Sequence, residues 1–471
     1  MEKFFANRRF HFMAAAIIAA ATLIVYSNTF NAAFQLDDTH HILENEGIRD
    51  LRHLPALMSG LRGVSQATFA LNYAAGGLDV RGYHAVNTVL HIFTAMLAYI
   101  FLYETFKLMK KDDVWSKKIA AFTALIFAVH PVQTQAVTYI VQRMEVMASL
   151  FYLLAVILFI KAAASQTRAK RGFLYAGIGA SYLLAFYSKE IAYTLPAAIL
   201  LYDICFISGG SLRGVLSRWP AYAVLAVFFA FFTITTVMSI SGISGSGRPF
   251  GPDSPESNGR QGSAPKPALP AALRTAVSGS SIISFILPEA EAAAEPLQPE
   301  AVVQIPALPQ APDYPVTAGF KMNKIGPREY LYTQFNVQIY YLSLLLVPVN
   351  QNLDYDFPVA SGLFQTPEVS SGAVLNIPQW PPIVSAVILF VIIAAAFYML
   401  ISSFRGDRPA ARIIPFFTFW FFLLLLPTSS IIPIVDVINE HRVYLASLGF
   451  FTILVITIDM AIARIFGASR R

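Results

Sequence analysis

The sequence has a single cysteine, Cys205, in 471 residues. No disulfide framework can hold it together, and cysteine usage gives no redox compartment. Charge is scarce as well: 13% of residues are Asp, Glu, Lys or Arg, where a soluble domain carries about a quarter. The sequence contains no repeat at a solenoid period, which excludes a stacked-repeat body. What fills the chain instead is apolar sequence, 56% of it, gathered into runs of about the 20 residues that cross a bilayer. Such runs cover 12–28, 84–104, 119–135, 142–161, 173–187, 190–207, 220–240, 382–404, 413–431 and 443–463. These runs exclude a soluble fold and predict an all-α polytopic membrane protein with about ten spans. The first run follows Arg8 and Arg9 and is read as an uncleaved span rather than a signal peptide.

Basic residues in short loops mark the cytoplasmic side of a membrane protein. Here they fall at Lys110 to Lys118, Lys161 to Arg171, Arg213 and Arg218, Arg405 to Arg412, and Arg464 to Arg471. Every second loop is basic, so both termini are expected inside, and the net charge of +6 orients the chain rather than implying a nucleic-acid partner. One further apolar segment, 330–348, would break this alternation if it crossed. It is therefore expected to be re-entrant or to lie at the interface. The body divides into 1–240, which includes a first outer loop over 29–83, and 330–471. Between them 241–329, rich in Gly, Ser, Pro and Ala, is expected to be a linker outside the membrane.

With this topology the ionisable residues near membrane depth collect on one side, and such residues mark a pathway or a site. Directly after the first span come Asp37 and Asp38, adjacent carboxylates of the kind that serve as a general base; a solvated turn or a helix cap is the plainer reading. His84, Asn87 and His91 share one helix face, with His91 expected to pack and His84 free to bind metal or phosphate. A hairpin runs from His130 through Gln133 to Arg143 and Glu145. Arg143 at a helix start suits an anion, unless it pairs with Glu145 or Asp37. Lys189 and Glu190 lie at another outer turn, and Glu440, His441 and Arg442 precede the last span. Lys, His and Arg converging from separate segments can grip a phosphate.

In order, Leu36-Asp-Asp, Gly-Tyr-His-Ala-Val-Asn, His-Pro-Val-Gln-Thr-Gln-Ala-Val, Gln-Arg-Met-Glu-Val, Ser-Lys-Glu, Asn352-Leu-Asp-Tyr-Asp356 and Glu-His-Arg-Val-Tyr-Leu run along most of the chain apart from about 241–315. This set resembles the membrane body of bacterial relatives of the transmembrane and tetratricopeptide-repeat O-mannosyltransferases, members of the GT-C superfamily. The resemblance implies a GT-C glycosyltransferase fold and a polyprenyl-phosphate-linked sugar as donor. It implies an outer-loop acid acting as base, carried here by Asp37 with Asp38 beside it, and an arginine near the hairpin gripping the lipid phosphate, carried here by Arg143; the converging Lys189, His441 and Arg442 are expected to bind the donor phosphate with it. His84, His130, Gln133, Glu145, Glu190 and Glu440 would support the site. A divalent metal is left open, with Asp38 and His84 as its candidate ligands. Such relatives continue into repeats outside the membrane, whereas this sequence ends at a basic tail. The acceptor is accordingly open between an exported protein, a glycan and a lipid. The expected location is a bacterial inner membrane, among membrane lipids, with the site facing outward. The rival is a transporter or lipid-glycan flippase, which would need a polar path reaching both faces.

Overall fold

The computed structural model describes residues 9–240, 325–369, 375 and 377–467. Among them the regular structure is helical. In chain order the α-helices are α1 (Phe10–Tyr26), α2 (Leu54–Met58), α3 (Gly63–Gly76), α4 (Val80–Leu108), α5 (Asp113–Val129), α6 (Thr134–Thr138), α7 (Arg143–Ala163) and α8 (Arg168–Phe186). They continue with α9 (Leu195–Tyr202), α10 (Leu212–Leu216), α11 (Trp219–Ile240), α12 (Pro327–Leu346), α13 (Pro382–Arg405), α14 (Ile413–Leu425) and α15 (Ser447–Ile465). Most of the expected linker, 241–324, lies outside the described residues.

Among the described residues, seven helical segments are long and apolar enough to cross a membrane. An eighth forms if α5 and the turn leading into α6, bent by 53°, count as one span. The bend has a local cause: Pro131 follows His130, has no amide hydrogen to give, and disfavours helix in the residue before it. Of the ten expected runs, 173–187 and 413–431 fall short. Helix α8 opens on Arg168, Lys170 and Arg171, and α14 stops two residues before Pro427. Helix α12 covers the segment expected not to cross, and it is not among the crossing helices. It buries Gln334, whose Nε2 donates to the Val437 carbonyl (2.8 Å), and Asn336, whose Oδ1 accepts from Ser385 (2.6 Å).

Burial tells which faces meet protein. On α1 only Phe10, Ala14, Ile18, Thr22 and Tyr26 are buried, a stripe of spacing four that packs against α4 and α5. The rest of its surface, Phe12 and Ile24 foremost, stays exposed, as a lipid-facing side does. Helix α7 is buried nearly all round and takes the centre, with α4 and α8 against it. Gly449 lets α15 cross α14 closely, since a Cβ there would stand 2.6 Å from the Phe417 carbonyl oxygen. His91 packs as expected, Nε2 on the Ala128 carbonyl (2.9 Å) and Nδ1 on the Tyr444 hydroxyl (2.6 Å).

Polar side chains sort to opposite ends of this bundle. Near the basic loops, Asp203 accepts from Arg218 (2.6 and 2.8 Å) and Tyr222 (2.6 Å), and Lys118 and Trp115 both reach Asp459 (2.6 and 2.9 Å). At the other end the loop 29–83, the turn between α5 and α7, the turn before α9 and the stretch before α15 meet one another.

Candidate active site

The two adjacent carboxylates are separated by the fold. Asp38 is buried, and both its oxygens accept backbone amides: Oδ2 from Gln35 (2.9 Å) and Oδ1 from Val141 (2.7 Å). Burial pushes its carboxyl up to about 6, against the pull of those amides in the other direction. Asp38 thereby fastens the first loop to the turn before α7. Asp37 faces outward and is exposed, and its own amide donates to the Tyr139 hydroxyl (2.7 Å). Leu36, just before the pair, has a φ of 37°, a left-handed setting that costs a non-glycine residue roughly 1–3 kcal/mol and persists because Asp38 is tied down on two sides.

Beside this pair lies a cluster of charges from three segments. Arg62, which opens α3, makes a bidentate bridge to Glu190 (3.0 and 3.1 Å). Lys189 bonds Glu145 (3.0 Å) and the Gln142 side chain (2.8 Å). Glu190 is the main charge acting on Arg62, followed by Asp37 and Glu145. Burial lowers the Lys189 ammonium from its ordinary value, and Glu145 opposes that. Glu145 is 2% exposed, and its Oε1 has no hydrogen-bond partner among the described residues.

His441 and Arg442 approach from the stretch before α15. Arg442 donates to the carbonyls of Val437 (3.2 Å) and Asp436 (2.7 Å). His441 is buried, and its imidazole is held well below the ordinary value by burial and by the charges of Lys189, Arg442 and Arg62. It is therefore neutral near pH 7. Three cations face it, and a further positive charge there would repel them.

Arg143 is fully buried at the start of α7. Its Nε donates to Asn87 Oδ1 (2.7 Å), Nη1 to the Thr68 carbonyl and hydroxyl (3.2 and 3.3 Å) and Nη2 to the Tyr83 carbonyl (3.1 Å). Its guanidinium lies over the Phe69 ring, 4.7 Å from the centroid. Arg143 thus ties α3 and α4 to α7, and it bridges neither Glu145 nor Asp37. Residues two apart on a helix point away from each other, which separates Arg143 from Glu145. No carboxylate forms a salt bridge with Arg143 or Arg442 among the described residues.

The other expected residues hold the walls. His84 Nε2 meets the Ala32 carbonyl (2.9 Å), and its Nδ1 is buried without a partner among the described residues. His130 Nδ1 accepts from the Val132 amide (3.2 Å), capping the turn to α6, and Gln133 reaches Ser447 on α15 (2.9 Å). Glu440 clamps 351–355, accepting from Gln351 (2.6 Å), the Asn352 amide (3.0 Å) and the Tyr355 hydroxyl. Each Asp38 oxygen accepts one backbone amide. No group of three or more His, Cys, Asp or Glu side chains suited to a metal ion occurs among the described residues.

Two residues of the cluster were not singled out by their sequence. Arg62 is a lone arginine in a polar loop, and its partner Glu190 lies 128 residues away. Gln135 belongs to the His130-Pro-Val-Gln-Thr-Gln motif, yet its spacing gives no sign that its side chain would span Leu353 and His441.

Over 211 residues, 41% of its length, the chain is 31% identical to protein O-mannosyl-transferase TMTC2 of Homo sapiens, of which it covers 24%. It is 34% identical over 152 residues to protein O-mannosyl-transferase Tmtc1 of Drosophila melanogaster, covering 29% of this chain and 17% of that protein. It is 27% identical over 217 residues to protein O-mannosyl-transferase TMTC3 of Homo sapiens, 42% of this chain and 22% of the relative. The chain thus spans at most about a quarter of the length of these curated relatives. No protein-family model and no solved structure matches it.

Proposed function

We propose that the protein is an inverting glycosyltransferase of GT-C type. It moves mannose or another hexose from a polyprenyl phosphate to a hydroxyl on the extracytoplasmic side of a bacterial inner membrane, with an exported protein as acceptor. One observation carries this reading. An exposed carboxylate, Asp37, acts on Arg62, and Arg62, Lys189 and Arg442 from separate segments converge on His441, in a chain similar to proteins named O-mannosyl-transferases.

In the reaction, the acceptor oxygen bonds to the anomeric carbon while Asp37 takes its proton. The bond from that carbon to the phosphate oxygen breaks, and polyprenyl phosphate leaves with added negative charge. Lys189 and Arg442 stabilise that charge, with Arg62 at the rim. Arg143 meets the phosphate by giving up its Thr68 contacts. Asp38 holds the loop that aims Asp37.

The test is transfer by purified protein in lipid, offered labelled polyprenyl-phosphate mannose, glucose or N-acetylglucosamine with an extract of exported proteins. Label on a protein supports the reading. Tight donor binding without transfer to any acceptor rejects it.

The outward orientation has its own test, helped by the buried state of Cys205. An impermeant maleimide should label Glu44→Cys and Gln365→Cys in intact cells, and Arg213→Cys and Arg408→Cys only after the cells are broken. Labelling of Arg408→Cys in intact cells would mean that α12 crosses.

A further inference from the structure

We propose that Gln135 is a positioning residue that keeps the proton of His441 on Nδ1, so that Nε2 is offered as a hydrogen-bond acceptor to a hydroxyl of the donor sugar. The inference rests on the glycosyltransferase reading for its ligand but not for its geometry. Gln135 Nε2 lies 3.0 Å from the Leu353 carbonyl oxygen. A carbonyl only accepts, so the amide nitrogen of Gln135 must point there and its oxygen must point the other way. That oxygen accepts the His441 backbone amide (2.7 Å) and lies 3.0 Å from Nδ1. An amide oxygen has no hydrogen to give, so Nδ1 carries the proton. A neutral ring carries only one, which leaves a lone pair on Nε2. Nε2 has no hydrogen-bond partner among the described residues.

The surroundings keep the ring neutral. Lys189, Arg442 and Arg62 face it, while Glu440, next to it in the chain, turns to Gln351, Asn352 and Tyr355. A bare lone pair repels a phosphate oxygen and attracts a hydroxyl. In a sugar-phosphate lipid the sugar is joined to the phosphate through its anomeric carbon, so sugar hydroxyls come within a few ångströms of whatever holds the phosphate. His441 then reads the sugar while the neighbouring cations hold the phosphate.

The experiment compares binding of polyprenyl phosphate and polyprenyl-phosphate mannose to the full chain in nanodiscs. His441→Leu should lower the preference for the mannosylated lipid by roughly 3- to 10-fold, with affinity for the bare lipid within about twofold of wild type. Arg442→Gln should weaken both lipids alike. Gln135→Glu, which favours a doubly protonated ring, should lose the preference although the imidazole is retained. Nitrogen NMR of histidine-labelled protein, with His441 assigned by its absence in His441→Leu, should show the neutral ring protonated on Nδ1 at pH 7. A proton on Nε2, a doubly protonated ring, or equal weakening of both lipids by His441→Leu overturns the inference. Wild-type protein that binds neither lipid overturns the proposed function and the sugar contact together, which separates that failure from a failure of the inference alone.

Discussion

Asp37→Asn should reduce turnover by about 100-fold or more and leave donor binding unchanged. Asparagine keeps the shape of the side chain and removes its capacity to take a proton. Asp37 is exposed, and asparagine keeps its backbone bonds to Tyr139 and His41, so the variant should unfold close to the wild-type temperature. Asp38→Asn is expected to behave differently. One amide group cannot accept from both Gln35 and Val141, and its NH2 is forced against one of those N–H groups. The cost is about 1–3 kcal/mol, read as a lower unfolding temperature with a modest loss of rate. Full activity in Asp37→Asn together with a stable, inactive Asp38→Asn would exchange the two roles. Activity in both would leave the proposed reaction without its base.

The second large effect belongs to the buried pair of Lys189 and Glu145. Lys189→Met leaves a carboxylate that is 2% exposed without its cation, and breaking a buried pair from one side costs about 3–5 kcal/mol. Thermal unfolding in detergent should show a large drop for Lys189→Met and recovery of most of it in Lys189→Met/Glu145→Gln. The double variant should still bind polyprenyl phosphate poorly, because the charge that meets the phosphate is gone. A Lys189→Met protein as stable as wild type would mean that the two side chains do not rely on each other.

How much of this could be read in advance depends on distance along the chain. The spans were legible because bilayer-length apolar runs need no partner to declare themselves. The two that fell short did so for local reasons, Arg168 to Arg171 within α8 and Pro427 soon after α14. Adjacency made it plain that Asp37 and Asp38 would diverge, but the Val141 amide that decides which one is buried lies 103 residues further on. The same limit hid Arg62. For Arg143 a local rule was available: its spacing from Glu145 already placed the two on different helix faces. What the motif could not show was Asn87, Thr68 and Tyr83 closing around the guanidinium.

Glu145 lies in the first turn of α7, and its cation arrives only after α8 has been made. During synthesis the carboxylate therefore reaches the insertion machinery ahead of its counterion, at a depth where an unpaired charge is costly. The helical hairpin of α7 and α8 must be made before Glu145 can meet Lys189. A ribosome pausing between these helices would leave a half-made protein with a carboxylate searching for water. The salt bridge that braces the finished site thus also sets the smallest piece of the chain that the membrane can accept at ease.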